Sequence, residues 1–170
     1  STNTISDAVP GLTFSLKRPG TTAIELSEAS ASLMGKIKDW VAKYNDVITT
    51  LKTKTQYDTK TKTAGPLNGD FLAGELFMKL RLNAIKPVAG LFTFDSLDDI
   101  GINAGRYGSP DVDKLIVDEA VLGEKISSAR SEIMRLFGAP TEPERNPKAG
   151  IALDIAALTD NYAHARTGLV

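Results

Sequence analysis

The sequence predicts a mainly α-helical protein with a minor β part, and three observations lead to this prediction. Apolar residues recur at the 4-3-4-3 spacing of a heptad in three segments, which is typical of coiled-coil-like helices. A fourth, shorter segment after Asp70 also has helical spacing. Near the N-terminus, apolar and polar residues instead alternate on both sides of a Pro-Gly pair, which indicates a β-hairpin.

The hairpin signature is GLTFSLKRPGTTAIEL, residues 11–26. Leu12, Phe14 and Leu16 alternate with polar residues before the Pro-Gly turn, and a second alternating run follows the turn. Two strands alone are only marginally stable in water, and no other run in the chain has the alternation of a good neighbouring strand. We therefore expect this hairpin to complete a sheet whose other strands belong to a larger protein.

The first heptad segment begins near residue 30 and predicts a long helix. We assign its six apolar positions to packing and fold stability: Leu33, Ile37, Trp40, Tyr44, Val47 and Leu51. Met34, Val41 and Ile48 widen the apolar stripe on one side. Burying one Leu- or Ile-sized side chain is worth roughly 1.5 to 3 kcal/mol, so such a stripe must face an apolar partner.

Three further helices are predicted. One starts at about Asp118, which can cap it, and ends at Gly138 and Pro140. Another starts at about Lys148, and the short one that follows Asp70 ends before Pro87. The heptad positions of the two longer helices are Leu122, Ile126, Ala129, Ile133 and Leu136 in the first, and Ile151, Ile155, Leu158, Tyr162, Ala165 and Leu169 in the second.

A second small hairpin is predicted near residues 100–117, with Ile100–Ile102 paired to Leu115–Val117 and a Gly-rich connection between them. The helical stripes can pack against each other in a small bundle, or at least one can await a helix outside this chain segment. Both alternatives remain open. The unpaired N-terminal hairpin favours the second, in which the chain is a piece of a larger protein.

Composition excludes several function classes. The net charge of −1 provides no basic field for nucleic acid, and no apolar run reaches the roughly 18 residues of a membrane span. Cysteine is absent and His164 is the only histidine, so a thiolate site or a histidine metal cluster cannot form. The aspartates of residues 95–99 and 111–118 do not match the calcium-loop pattern and are interpreted as solvated carboxylates and helix caps. We expect no catalytic, cofactor-binding or metal site.

The run TTLKTKTQYDTKTKTAG, residues 49–65, is rich in Thr and Lys. A phosphate-binding patch is one interpretation, but the run lacks interleaved aromatic residues and a glycine-rich nest. The sequence favours a solvated helix end followed by a mobile loop.

Several ordered stretches resemble the C-terminal region of a known family, the flagellar capping protein, or hook-associated protein 2. ISDAVPGLTFSLKRPGTT resembles the returning strand of the family's head domain, and IKDWVAKYNDVITTL resembles its leg helix, with Tyr44-Asn45 intact. TQYDTKTKTAGPLNGD is similar to the connection that follows, and SLDDIGINAG, KLIVDEAVL, RLFG and GIALDIAALTDNY come next in the family's order. NAGRYGSPDVD departs from the family, which often has a shorter turn there.

The resemblance implies two domains. Residues 1–28 would form a β-hairpin that completes a head domain whose remainder lies outside the chain. Residues 29–170 would form a helical leg domain with the small hairpin near 100–117.

The resemblance also implies a structural, non-enzymatic function without cofactors. Family members cap the distal end of the bacterial flagellar filament, promote the folding and insertion of flagellin and retain exported monomers. The implied partners are flagellin, further copies in a ring-shaped homo-oligomer, and hook-filament junction proteins. The implied location is outside the cell at the flagellum tip, reached through the flagellar type III apparatus without a cleaved signal peptide. Some family members also serve as adhesins.

On this interpretation the outer polar face of the leg makes weak contacts with flagellin or with other subunits. The candidate contact residues are Lys52, Lys54, Lys60 and Lys62. The alternative is a helical protein-protein interaction module or an adhesin fragment unrelated to flagella.

Overall fold

The computed structural model describes residues 4–5, 14–15, 27–141 and 149–167. The four helices of this part are α1 (Ser27–Thr55), α2 (Phe71–Ile85), α3 (Glu119–Leu136) and α4 (Ile151–Thr167). Its strands are β1 (Thr4–Ile5), β2 (Phe14–Ser15), β3 (Tyr57–Asp58), β4 (Thr63–Ala64), β5 (Ile102–Ala104) and β6 (Leu115–Val117), paired antiparallel as β1-β2, β3-β4 and β5-β6. The predicted fold class, mainly helical with a minor β part, is confirmed.

The N-terminal strand pair differs from the prediction. Thr4 pairs with Ser15 and Ile5 with Phe14, so the strand that contains Phe14 has a neighbour earlier in the chain. The expectation that no such neighbour exists was wrong, because a two-residue pairing needs no long alternating run. The predicted partner strand at residues 22–26 lies outside the described residues, and the division at residues 28 and 29 remains a prediction.

Helix α1 packs against α2, α3 and β6. Its buried line runs through Ile37, Val41, Tyr44 and Ile48, beside the heptad stripe that the sequence predicts. Val47 is 43% exposed, which contradicts the packing role assigned to it. The reason is that α1 contacts partners on several sides, and these centre its buried face on Val41 and Ile48, which the sequence placed at the margin.

Helices α2 and α3 begin where their caps predict. The Asp70 carboxylate accepts a hydrogen bond from the backbone N–H of Ala73, and the Asp118 carboxylate accepts from Ala120 and Val121. Helix α3 differs in one respect from the prediction of a continuous helix. Ala129 has φ −146° and ψ 48°, so the helix is interrupted there.

The small hairpin is present, but its first strand starts at Ile102 rather than Ile100. Residues Asp98–Ile100 form a 3₁₀ turn, which Gly101 ends with a left-handed φ of 79°. One apolar core joins these elements, and it consists of Ile37, Val41, Tyr44, Ile48, Leu80, Ala84, Val88, Leu97, Ile100, Ile102, Leu115, Leu122, Ile126, Ile133, Leu136 and Ile151. Part of each helical stripe is therefore satisfied by mutual packing.

Candidate interaction surface

The junction between α1 and the β5-β6 hairpin depends on Asn45. Its side-chain amide donates to the Leu115 carbonyl at 2.9 Å and accepts from the Leu115 N–H at 2.8 Å. Gly105 donates to the Lys114 carbonyl, so Leu115 occupies a non-hydrogen-bonded position of the ladder and its backbone groups face away from β5. The Asn45 amide thus supplies the two hydrogen-bond partners that a third strand would give Leu115 at this edge of the hairpin.

An ionic network joins the C-terminal part of α1 to α2 and to the β5-β6 connection. The Asp113 carboxylate lies 2.5 Å from Lys52 Nζ and 3.2 Å from Arg81 Nε, and its side chain is only 11% exposed. Tyr44 lies in the same region, where burial raises its pKa to about 12, so its hydroxyl stays neutral over the physiological range. Of the four candidate contact lysines, Lys52 is therefore held within the protein.

The segment GPLNGD, residues 65–70, caps the C-terminus of α1. Leu67 N–H donates to the Lys54 carbonyl at 2.8 Å, and Asn68 Nδ2 donates to the Thr55 carbonyl at 2.7 Å. A Cβ atom on Gly65 would lie 2.3 Å from the Lys54 oxygen, so this close approach requires glycine. Sequence reasoning interpreted these glycines only as turns and missed the cap.

The first part of the Thr- and Lys-rich run is the end of α1, as predicted, and the second part forms the β3-β4 hairpin where the sequence favoured a mobile loop. Asp58 accepts hydrogen bonds from the backbone N–H groups of Lys60 and Thr61, and these bonds lower the pKa of its carboxyl. The side-chain pattern D-x-K-T is an Asx-turn signal that could have predicted the turn.

Three of the candidate contact lysines, Lys54, Lys60 and Lys62, are exposed at the same end of α1. None of these three forms an ion pair within residues 31–141 and 149–163. The structure thus leaves these three lysines exposed, whereas Lys52 is paired with Asp113.

The residues assigned to packing have different environments. Ile37 and Tyr44 are buried, whereas Leu33, Trp40 and Leu51 are half-buried against the core. The Trp40 ring stacks on Tyr44 at 5.9 Å between centroids and meets Phe137 edge-on at 5.3 Å.

Helix α2 presents an apolar outer face that sequence reasoning did not single out. It consists of Phe71, Leu72, Met78, Leu82 and Ile85, which are 41–78% exposed. A groove of about 190 Å³ runs beside this outer face, between α2 and the β5-β6 hairpin. The spacing 71, 78, 82 and 85 is heptad-like and could have predicted the face. Several large exposed apolar side chains on one side of a helix are typical of a protein-protein contact.

The described residues contain no group of three or more acidic or histidine side chains placed to hold a metal ion. The Asp99 carboxylate instead accepts hydrogen bonds from Asp95 N–H, Ser96 N–H and the Ser96 hydroxyl at 2.9–3.1 Å. None of the helices in these parts of the chain has the length and apolarity needed to cross a membrane. His164 lies in α4, but its side chain is outside the described part.

Comparison with known proteins identifies relatives along the whole chain. The family model for the C-terminus of flagellar hook-associated protein 2 matches residues 1–170. Flagellar hook-associated protein 2 of Helicobacter pylori J99 is 29% identical over 135 residues, 75% of this chain, and that of Treponema pallidum is 24% identical over 194 residues, 99% of this chain. The Campylobacter jejuni protein is 32% identical over 69 residues, 41% of this chain. The chain spans 11%, 18% and 27% of the Campylobacter, Helicobacter and Treponema proteins.

Proposed function

We propose, since the chain belongs to the flagellar hook-associated protein 2 family, that it is a structural part of the cap at the distal end of the bacterial flagellar filament. The single observation that carries the proposal is the family match over residues 1–170. In this function the cap promotes the folding and insertion of flagellin and retains exported monomers. It acts outside the cell at the flagellum tip, after export by the flagellar type III apparatus without a cleaved signal peptide.

The helical part would serve as a stiff leg. Helix α1 has 29 residues, which corresponds to about 43 Å at 1.5 Å per residue. The Asn45 amide and the Lys52–Asp113–Arg81 network tie α1 to the hairpin and to α2, and such cross-links oppose bending. These contacts support the part of the proposal in which the helical residues 29–170 form the leg; the assignment of residues 1–28 to a head domain rests on the family resemblance.

The outer face of α2 supports a further part of the proposal. Phe71, Met78 and Leu82 are half or more exposed, and a Leu-sized side chain gains roughly 1.5 to 3 kcal/mol on full burial. We expect this face to be covered by helices of the parent protein that lie outside residues 1–170. Such an arrangement gives the leg the coiled-coil-like packing that its heptads favour.

Flagellin contacts are assigned to Lys54, Lys60 and Lys62, which are exposed at one end of α1. A cap that moves as subunits add needs contacts that break and re-form easily. Exposed charges fit this requirement because an exposed ion pair contributes only about 0 to 1 kcal/mol. Lys52 leaves this group, because its ammonium is engaged by Asp113.

The proposal is tested in a cap-deficient strain that carries the full-length gene. Lys60→Ser with Lys62→Ser is compared with Lys36→Ser with Lys43→Ser, a control that removes two exposed α1 lysines elsewhere. We expect shorter filaments and more free flagellin in the medium for the first pair, and wild-type filaments for the control. Wild-type filaments from both double variants would discard the assignment of Lys60 and Lys62. Failure of the unmodified gene to restore filaments would discard the cap function itself.

Further copies in a ring-shaped homo-oligomer and the hook-filament junction proteins complete the proposed set of partners. The second candidate function is a helical protein-protein interaction module or adhesin fragment, and the exposed outer face of α2 favours it. A deletion strain with normal filaments but lost surface attachment would support that alternative.

A further inference from the structure

The segment that caps α1, GPLNGD, contains a chemically labile pair of residues. Of the asparagines in the chain, only Asn68 precedes a glycine. Asparagine is one of the thermolabile residues, because the backbone nitrogen that follows it can attack its side-chain amide. This attack is easiest at glycine, which has no Cβ atom to obstruct the approach. The sequence therefore marks Asn68 as the asparagine most prone to lose its amide.

The structure leaves this pair open to water. Asn68 and Gly69 are both exposed, in a turn that the Asp70 N–H closes by donating to the Leu67 carbonyl at 3.0 Å. A Cβ atom added at Gly69 would have no neighbouring atom within 4 Å, so the space beside this peptide bond is open. Among the residues that the structure describes, none accepts a hydrogen bond from the Gly69 N–H. The nitrogen that must attack is thus neither covered nor engaged.

One contact restrains the amide of Asn68. Its Nδ2 donates to the carbonyl of Thr55, the last residue of α1, at 2.7 Å. This hydrogen bond is exposed, and water competes for both of its groups. Local opening of an exposed bond is frequent in a folded protein, so the bond slows the attack but does not prevent it.

We propose that Asn68 is a site of spontaneous deamidation, and that its conversion loosens the ends of two helices. The Gly69 nitrogen forms a bond to Cγ of Asn68 and gives up its proton, while the Cγ–Nδ2 bond breaks and Nδ2 leaves with that proton as ammonia. The product is a cyclic succinimide. Water opens this ring at Cγ, which gives aspartate, or at the main-chain carbonyl, which gives isoaspartate. The net change replaces the amide NH₂ with OH, and it is independent of the flagellar function.

Either product weakens the cap of α1. A carboxylate has no proton to donate, so the hydrogen bond to the Thr55 carbonyl is lost and two acceptors face each other. The Leu67 N–H, which donates to the Lys54 carbonyl at 2.8 Å, is left to hold this end of the helix with less support.

Isoaspartate also disturbs the start of α2. Its main chain runs through the side-chain carbons and is longer between Leu67 and Gly69, inside the turn that the Asp70 N–H closes. Asp70 is the N-cap of α2, where its carboxylate accepts from the Ala73 N–H at 2.9 Å. A longer turn displaces this carboxylate from the helix. A single chemical change thus affects the end of α1 and the start of α2.

The test follows the 170-residue chain during incubation in mildly alkaline buffer, below its unfolding temperature. Heavy-oxygen water labels each new carboxyl group, and peptide mapping by mass spectrometry locates the label. Asn103 is the internal control, because it is exposed but precedes alanine. Asn68→Gln is the matched variant, because it keeps a carboxamide but would have to close a larger ring, which forms much more slowly. Incubation continues until a synthetic peptide of residues 65–72 is fully converted in the same buffer.

We expect label at Asn68 well before any at Asn103, and a lower unfolding temperature for the aged parent chain than for the fresh one. Asn68→Gln should gain no label at this position and should keep its own unfolding temperature on ageing. Asn68→Asp, which reproduces one product, should unfold at a lower temperature from the start. Absence of label at Asn68 in the folded chain overturns the modification site. Label at Asn68 with unchanged unfolding overturns its effect on the helix ends.

Discussion

Asn45 and Leu115 are 70 residues apart in sequence, yet one side-chain amide satisfies both backbone groups of Leu115. This pairing fastens the small hairpin to the middle of α1. It also gives each residue of the Tyr44-Asn45 pair a structural role. Tyr44 is buried in the core, and the adjacent Asn45 bonds the backbone of β6. The fold therefore depends on this amide more than on an ordinary half-buried polar residue.

We expect Asn45→Ala to destabilise the protein by about 2 kcal/mol, because it leaves a donor and an acceptor of Leu115 without partners. The measurement is the urea midpoint followed by far-UV circular dichroism. Asn83→Ala is the control, because within the described residues the Asn83 amide bonds the Lys79 carbonyl of its own helix, and we expect a change below about 0.5 kcal/mol. Equal losses in the two variants would contradict the special role of Asn45.

The elements that local chemistry determines were predictable from the sequence. Asp70 and Asp118 each mark a helix start, because a carboxylate accepts hydrogen bonds from the free backbone N–H groups of the first turn whatever the helix packs against. The buried face of α1 was not predictable to the residue, because it depends on three partner elements. That is why Val47 is exposed and Val41 is buried.

In the candidate site, too, exposure of the lysines was predictable from the sequence, whereas contacts between distant residues were not. Sequence reasoning found an exposed lysine group but included Lys52, whose partner Asp113 lies 61 residues away. It noted Asn45 within a family-like motif but gave it no role, since its partner Leu115 lies 70 residues away in sequence. The break at Ala129 was not predicted, although Ser127 and Ser128 before it donate to carbonyls one turn earlier, a pattern that bends helices.

Gly65 should tolerate no side chain. We expect Gly65→Ala to cost about 2 kcal/mol or more, because the new Cβ would overlap the Lys54 carbonyl oxygen and displace the cap of α1. Gly74→Ala is a control of opposite sign, since Gly74 lies inside α2 and a Cβ atom added there would have no neighbouring atom within 4 Å. There we expect a gain of roughly 0.5 to 1 kcal/mol from helix propensity. Thermal unfolding measures both, and a neutral Gly65→Ala would show that the cap is loose.

Trp40 and Val47 were both assigned to packing, but we expect their substitutions to lower stability by different amounts. Trp40→Ala removes the ring contacts with Tyr44 and Phe137 from a half-buried site, so we expect a loss of about 2 to 3 kcal/mol. Val47→Ala should change stability by less than about 0.5 kcal/mol, because the side chain is largely in water. Urea denaturation of both variants provides the comparison. A large loss at Val47 would restore the heptad assignment.

Asp99 should give the protein a measurable acid sensitivity. Burial acts to raise the pKa of its carboxyl, but hydrogen bonds from Ser96 and Asp95 outweigh burial and lower the pKa below its usual value. A carboxyl with a lower pKa in the folded state stabilises the fold above its unfolded-state pKa, and this contribution is lost as pH falls through the folded-state pKa. We therefore expect Asp99→Asn to lower stability near neutral pH, and the difference from the parent chain to narrow as the solution is acidified.

The carboxyl titration can be followed directly by carbon NMR. Ser96→Ala removes the hydroxyl donor and should move the pKa of Asp99 upward, toward the ordinary aspartate value of about 3.9. Ser128→Ala is the matched control, because its hydroxyl bonds carbonyls within α3 and should leave the Asp99 titration unchanged. An Asp99 pKa that does not respond to Ser96→Ala would mean that the backbone N–H groups alone hold the carboxylate in its ionised form.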